Sequence, residues 1–250
     1  AQRYSKRQGL ISCLVRGCCE VKAGQLWIGT DGGLSRFDGV KFQNFNTDVG
    51  LAYGSIRALL QDRSGALWIG TDGGLSRWQA DRFETDAQLD RLRGQKIWAL
   101  HEDPSGGLWI GTQGAGLFWR KDSKLVQFTT EQGLPSNKIH FIVEDARGTL
   151  WLSGPTGIVA VVRRELESSA AKPRAAMKLA VRVYSTSEGL STNQMNGGVQ
   201  SAGALALDGK LWFPSTKGAV CLEPDLPQTN SALPVLIEQV LADDREIPFV

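Results

Sequence analysis

The string Leu-Trp-Ile-Gly-Thr occurs three times in this 250-residue chain, at Leu26–Thr30, Leu67–Thr71 and Leu108–Thr112. Weaker copies follow at Leu150–Leu152 and Leu211–Phe213. The tryptophans of the first four copies are 41, 41 and 42 residues apart. A fixed period of this length is typical of a repeat architecture. The five repeat tryptophans are Trp27, Trp68, Trp109, Trp151 and Trp212.

The second copy shows what one repeat contains. Four short apolar segments are predicted as strands, namely Ser55–Gln61, Leu67–Thr71, Leu75–Trp78 and a segment around Phe83. The sequences Asp-Arg-Ser-Gly and Asp-Gly-Gly between them favour tight hairpin turns. No segment keeps the spacing of an amphipathic helix. We therefore predict an all-β fold, a β-propeller of about five four-stranded blades, with the repeat tryptophans packed between blades.

The propeller is predicted to span residues 1–226, and residues 227–250 to form a linker and the start of another domain. The segment Gln2–Lys6 aligns with the outer strand of the third repeat, so that residues 1–6 could complete the last blade and close the ring. The alternative is an open arc. Arg163–Lys178 is polar and rich in alanine, which favours a disordered excursion, with a docking helix as the alternative.

Composition excludes several classes of protein. The formal net charge of +2 indicates neither a nucleic-acid nor a membrane partner, and no apolar run reaches membrane-spanning length. No signal peptide is visible. The four cysteines lack metal-ligand spacing, and Cys18 and Cys19 align with Leu59 and Leu60, which predicts that they are core residues. The two histidines lie in no triad or metal spacing, so we expect no metal, cofactor or catalytic residue.

The loops that precede the innermost strands are the candidate ligand-binding surface, because in a propeller they converge beside the central channel. They differ between repeats, whereas the core positions do not. Amides, cations and an aromatic ring suit a small polar ligand such as an oligosaccharide, and ordinary solvated loops are the alternative. The candidates are Tyr53, Ser55, Arg57, Gln95, Lys96, Trp98, Asn137, Lys138, His140, Asn193, Gln194 and Asn196. Asp31 and Asp72 are predicted to be turn residues.

The repeat pattern resembles that of the two-component regulator propeller family, most completely over Gln25–Gly39 and Ala66–Trp78. Gly189–Gly198 resembles the last blade of that family and Leu211–Gly218 its closing strands. Pro234–Glu238 resembles the first strand of the triple-tyrosine, immunoglobulin-like domain that follows such propellers.

This resemblance implies a periplasmic, ligand-sensing region of a membrane-bound signalling protein, with a histidine kinase or diguanylate cyclase as output. It also implies a homodimer formed through the parent protein, and seven blades where five repeats are counted here. The chain itself would then be no enzyme. Two alternatives remain, a propeller hydrolase or lyase acting on glycans and a structural scaffold for protein contacts. Asp62–Trp68 superficially resembles the Asp-box of sialidases, but it lacks the Ser or Thr before the aspartate and differs in the spacing to the tryptophan.

Overall fold

A computed structural model describes residues 2–22, 25–84, 86–122, 124–224, 241–242 and 245–246. Four four-stranded antiparallel sheets follow one another along the chain, and a three-stranded sheet follows them. Within each sheet the strands pair in chain order, as in a propeller blade. The predicted all-β propeller of about five blades is confirmed.

The strands of the first two sheets are β1 (Val15–Lys22), β2 (Gln25–Thr30), β3 (Gly33–Phe37), β4 (Phe42–Phe45), β5 (Ile56–Gln61), β6 (Leu67–Thr71), β7 (Gly74–Gln79) and β8 (Arg82–Glu84). Those of the next two are β9 (Ile97–Glu102), β10 (Leu108–Thr112), β11 (Leu117–Lys121), β12 (Lys124–Phe128), β13 (Phe141–Glu144), β14 (Thr149–Gly154), β15 (Gly157–Val162) and β16 (Arg182–Tyr184). The fifth sheet has β17 (Ala204–Leu205), β18 (Leu211–Ser215) and β19 (Gly218–Leu222), and β20 (Leu241–Ala242) pairs with β21 (Arg245–Glu246).

The helices are short. The α-helices are α1 (Ala87–Asp90) and α2 (Arg163–Ala170), and the 3-10 helices are Lys6–Gln8, Thr47–Val49, Thr130–Gln132, Arg174–Ala176 and Thr186–Glu188. Four of the 3-10 helices end at the glycine of the repeated Gly-Leu pair, in the left-handed conformation. In the third repeat α1 takes this place and ends at Arg91 in ordinary helical conformation. This explains why that repeat reads Arg91-Leu92 where the others have glycine.

The repeat tryptophans of the first four sheets fill the space between neighbouring blades. Trp68, for example, packs with Leu108 and Ile110 of the next sheet, and Trp109 with Leu150 and Leu152. The predicted core role is therefore confirmed for these four residues, which are at most 3% exposed. It is wrong for Trp212, which is 43% exposed.

In three of the blades an aspartate accepts a hydrogen bond from the repeat tryptophan and fixes the position of its indole ring. Asp62, Asp103 and Asp145 each stand six residues before the tryptophan and accept its indole N–H at 2.8 Å. The same carboxylates accept backbone N–H groups of the hairpin, such as those of Ala66, Gly107 and Thr149. The equivalent position before Trp212 is Ala206, which offers no such acceptor. The Asp-box resemblance thus has a structural reason, since the carboxylate closes a turn.

Three further predictions are wrong. The described residues 2–5 pair with no strand, and Tyr4 packs against Phe37 and Phe42 of the first sheet, so they do not complete the fifth sheet. Arg163–Lys178 is not a disordered excursion: its first part forms α2, in agreement with the alternative of a docking helix, and Leu166 of α2 is fully buried against the core between sheets three and four. The core prediction fails for Cys18, which is exposed because β1 faces solvent where β5 is covered, whereas Cys19 is partly buried and packs against the core of the first two sheets. The segment resembling the triple-tyrosine domain, Pro234–Glu238, lies outside the described residues.

Candidate functional site

The loops before the inner strands meet the hairpin turns of the preceding blades at one face. Gly94 N donates to Gly73 O, Gly116 N to Asn137 O, and Met195 N to Gly154 O, across three successive blade junctions. A buried threonine at the end of the second strand shapes each of the first three turns, by donating its hydroxyl to a glycine carbonyl at 2.8 Å. The convergence expected from the sequence is therefore present. We call this surface the loop face.

Two arginine–aspartate pairs lie at the inner edge of the loop face. In the first repeat, Arg16 Nε and Nη2 each donate to Asp31 at 2.7 Å. In the second repeat, Arg57 Nη2 donates to Asp72 Oδ2 at 2.6 Å, and Nε donates to both oxygens at 3.0 Å. Each pair joins an inner strand to the turn of its own blade. Charge-assisted, bidentate contacts of this kind fix the arginine side chain in place.

Each aspartate also reaches the next blade. Ser55 Oγ donates to Asp31 Oδ1 at 3.3 Å, and Trp98 Nε1 donates to Asp72 Oδ1 at 3.4 Å. Hydrogen bonding by Arg16 holds the pKa of Asp31 below its ordinary value. Burial is the largest single influence and would raise the pKa of Asp72, but the hydrogen bonds and charge of Arg57, with hydrogen bonds from Ser55 and Trp98, together outweigh it and lower the pKa. Both groups are therefore carboxylates at neutral pH.

A segment of the fifth repeat lies against the inner strands β1, β5 and β9; we call Asn196–Ala202 the channel segment. Gln200 Nε2 donates to Leu59 O at 2.7 Å, and Leu59 N donates back to Gln200 Oε1 at 3.0 Å. Gln200 N donates to Arg16 O at 3.1 Å. Arg57 Nη1 donates to Gly198 O at 3.2 Å. The segment therefore caps the inner edges of β1 and β5, whose backbone groups have no neighbouring strand there.

Two aromatic side chains, Trp98 of the third repeat and His140 of the fourth, lie beside the channel segment. The rings of Trp98 and His140 lie 5.2 Å apart. His140 Nδ1 lies 2.9 Å from Met195 O, and because a carbonyl only accepts, Nδ1 carries the proton. Burial lowers the pKa of His140, the bond to Met195 opposes this, and the charge of Lys138 lowers it further. The imidazole is therefore neutral at pH 7.

The twelve predicted residues fall into three groups. Arg57, Trp98 and His140 are engaged by the channel segment or by Met195 beside it. Asn137 and Asn193 hold their own loops, since their side-chain oxygens accept from Thr130 N at 2.9 Å and Thr186 N at 2.7 Å.

The third group is more open to solvent, although Asn196 also donates to Ser215 O at 3.1 Å. Its members are Tyr53, Ser55, Gln95, Lys96, Lys138, Gln194 and Asn196, of which Ser55 and Gln95 are partly buried and the others exposed. Tyr53, 52% exposed, lies over Gly73. Beside it, a cleft of about 490 Å³ opens among Ala52, Gly73 and Arg93. A volume of this size suits a small ligand.

The sequence reasoning missed Asp31 and Asp72 as members of the site, and it missed Gln200. A signal for the aspartates was present, because an arginine precedes each of them by fifteen residues, at Arg16 and Arg57. Because Asp-Gly-Gly also favours a tight turn, Asp31 and Asp72 were predicted only as turn residues and not as partners of Arg16 and Arg57. No comparable signal marked Gln200, because its partner Leu59 is 141 residues away along the chain.

Within the described ranges, no group of three or more His, Cys, Asp or Glu residues is placed to hold a metal ion. The same part of the chain contains no helix with the length and apolarity needed to span a membrane.

Three stretches of the chain, residues 50–73, 91–114 and 133–156, match the two component regulator propeller family. No similar protein is found among curated protein sequences.

The fold is shared with solved extracellular domains. That of BT3049, a candidate hybrid two-component system of B. thetaiotaomicron, is 24% identical with a TM-score of 0.69, and the match covers 86% of this chain and 27% of that one. That of BT4673, a candidate one-component system of the same organism, is 22% identical with a TM-score of 0.67, covering 84% and 30%. The chain thus spans less than a third of these domains.

An enzyme shares the architecture more distantly. Virginiamycin B lyase from Staphylococcus aureus, solved as an inactive H270A variant with quinupristin, is 15% identical with a TM-score of 0.56. The match covers 85% of this chain and 71% of the lyase. At such identity the likeness concerns the fold alone. The repeats, their period and their blades agree with the match of these three stretches to the two component regulator propeller family.

Proposed function

We propose that this chain is the extracytoplasmic ligand-sensing propeller of a two-component signalling protein. The observation that carries the proposal is the match of three successive repeats to the two component regulator propeller family. The fold shared with extracellular domains of a candidate hybrid two-component system and a candidate one-component system supports the same placement. The output would be a histidine kinase or diguanylate cyclase in the parent protein, which would act as a homodimer.

The ligand site that we propose is the loop face beside Tyr53. Its exposed aromatic ring and the adjacent cleft of about 490 Å³ suit stacking against a sugar ring. Lys96 and Lys138 are exposed at equivalent positions of the third and fourth repeats, and Gln194 takes that position in the fifth. They add hydrogen-bond donors that an oligosaccharide would use. The proposed ligand is therefore a small polar molecule of the oligosaccharide class.

Isothermal titration of the purified chain with neutral and acidic oligosaccharides tests this proposal. We expect one member of the panel to bind, and Tyr53→Ala together with Lys96→Ala/Lys138→Ala to weaken it at least tenfold. Lys172→Ala is the matched control, because this exposed lysine lies just beyond α2. Asn137→Ala is unsuitable, because it would release the loop that Thr130 N anchors. Equal affinity of all variants would remove the site from the loop face.

A lyase or hydrolase acting on glycans is the second candidate, because the propeller fold is shared with enzymes, among them virginiamycin B lyase and an ancestral GH74 enzyme. The two proposals differ in what happens to the ligand. A sensor leaves it intact, whereas an enzyme releases shorter products. Chromatography of each oligosaccharide after prolonged incubation with the chain separates them, and any turnover would favour the enzyme.

A further inference from the structure

Asp72 accepts hydrogen bonds from the side chains of Arg57 and Trp98, and both of these side chains contact Gly198. Arg57 donates three hydrogen bonds to the Asp72 carboxylate, and Trp98 donates one. Arg57 also donates to Gly198 O at 3.2 Å. A Cβ placed on Gly198 would lie 3.3 Å from the indole ring of Trp98. Asp72, which lies on the loop face, orients Arg57 and Trp98. The position of the channel segment therefore depends on these two side chains.

The equivalent group in the first repeat lacks this connection. Asp31 holds Arg16 and Ser55, but among the described contacts neither side chain reaches the channel segment. Only the backbone carbonyl of Arg16 accepts from Gln200 N. Two positions that are alike in sequence thus differ in space, which makes Asp31 a matched control for Asp72.

The channel segment fits its surroundings closely. A Cβ on Gly197 would lie 2.5 Å from the Cβ of His140, and one on Gly17 would lie 2.7 Å from Gln200 Oε1. The segment also continues directly into the fifth sheet, because Gly203 lies against Phe141 and the carbonyl of Trp212, and β17 begins at the next residue. A shift of the segment would therefore be transmitted to β17 and β18, since closely packed groups move together.

We propose that the channel segment is the conformational element that couples the loop face to the fifth sheet, through Asp72, Arg57 and Trp98. A ligand that draws Arg57 or Asp72 into new hydrogen bonds loosens Gly198, and the segment and the fifth sheet follow. This inference rests on the proposed sensing function in one respect, that a ligand binds the loop face. A ligand moves this equilibrium only if it binds the two arrangements with different affinity.

Amide hydrogen exchange of the full chain, read out by mass spectrometry on peptides covering residues 196–205 and 211–222, tests the coupling without a ligand. Asp72→Asn should raise exchange over residues 196–205 at least tenfold, while Asp31→Asn should leave it within twofold of the parent chain. Gln200→Ala is the positive control, because it removes the two hydrogen bonds to Leu59 directly.

Circular dichroism and the melting temperature of each variant establish that it is folded. If Asp72→Asn does not fold, Arg57→Lys replaces it, because an ammonium keeps the charge beside Asp72 but lacks the separate guanidinium nitrogens with which Arg57 bonds Asp72 and Gly198 at once. For Arg57→Lys, too, we expect amide exchange over residues 196–205 to rise at least tenfold. Exchange within twofold of the parent in the folded variant, or an equal rise in Asp31→Asn, would overturn the proposal.

Failure of this inference is distinguishable from failure of the proposed function. An oligosaccharide that binds the parent chain without changing exchange at residues 196–205 would overturn the coupling and leave the sensor assignment intact. If no oligosaccharide binds, but Asp72→Asn and Asp31→Asn change the amide exchange as expected, the proposed ligand class is overturned and the coupling stands.

Discussion

The indole Nε1 of Trp109 donates a 2.8 Å hydrogen bond to Oδ2 of Asp103, and neither residue has any measurable exposure to solvent. The other carboxylate oxygen accepts from the Ser105 hydroxyl and from backbone N–H groups of Ser105 and Gly107. One aspartate thus closes a hairpin and orients the tryptophan that fills the next blade junction. This is why the repeat carries an aspartate six residues before its tryptophan.

Asp103→Ala is expected to destabilise the chain by about 3 kcal/mol, because it leaves buried donors without an acceptor and each of these costs roughly 1–3 kcal/mol. Urea unfolding followed by tryptophan fluorescence measures the loss. Asp38→Ala is the control, since this aspartate also accepts backbone N–H groups, from Val40 and Lys41, but on an exposed turn. Equal midpoints for the two variants would contradict the buried role of Asp103.

Trp68→Ala is expected to cost about 3–5 kcal/mol, because it empties a core site between the second and third blades. Trp212→Ala removes the tryptophan at the same repeat position but is expected to cost about 1 kcal/mol or less. Trp212 is 43% exposed, and Ala206 stands where the other repeats have the aspartate that bonds the indole N–H. Thermal melts of both variants make the comparison. Similar losses would mean that the fifth repeat buries its tryptophan as the others do.

The sequence predicted the blades well, because their determinants are local and recur. Leu-Trp-Ile-Gly-Thr sets the second strand of the first three blades, and Asp-Gly-Gly sets the turn that follows it in the first two. The departures occur where the repeat is interrupted. In Arg163–Ala170 a helix forms because Leu166 finds a buried site between two blades, and that tertiary contact leaves no periodic signal in the sequence.

The candidate site was less predictable, because position alone identifies which loops meet but not what their side chains contact. Asn137 and Asn193 are placed like ligand-binding residues, yet their amides anchor 3-10 helices seven residues earlier. Arg57 was identified by its variation between repeats, whereas its contact with Gly198 follows only from the folded geometry. Polar loops therefore require coordinates before their binding groups are assigned.

Acid is expected to destabilise the chain below about pH 4. The pKa of Asp31 is lowered by its bond from Arg16, and the pKa values of Asp72 and Asp103 are lowered by hydrogen bonds that outweigh their burial. An unfolded chain has ordinary aspartate pKa values near about 3.9, so it binds protons more readily than the folded chain. The stabilisation is therefore present above that pH and is lost as the pH falls through the lower folded values.

Urea unfolding of the parent chain and of Asp31→Asn/Asp72→Asn, at steps from about pH 7 to about pH 3, checks this dependence. The double variant should start less stable and lose less free energy across the acid range. A slope below pH 4 equal to that of the parent chain would show that these two carboxylates do not contribute to the acid sensitivity.

His140 is expected to titrate below its ordinary pKa of about 6.5. Burial disfavours the imidazolium most, and the charge of Lys138 disfavours it further, although the bond to Met195 O opposes both. Because the folded pKa is depressed, the unfolded chain binds the proton first as the pH falls. Stability should therefore decline from about pH 6.5 down to the folded pKa and then level off with respect to this group.

A ¹H–¹³C titration of the imidazole resonances gives the midpoint directly. Lys138→Ala should raise that midpoint, because it removes a nearby positive charge, whereas Lys172→Ala should leave it unchanged. The ring should also keep its proton on Nδ1 above the midpoint, as the bond to Met195 O requires. A midpoint at or above about 6.5 would show that solvent reaches the imidazole, and the channel segment beside Met195 would then be open in solution.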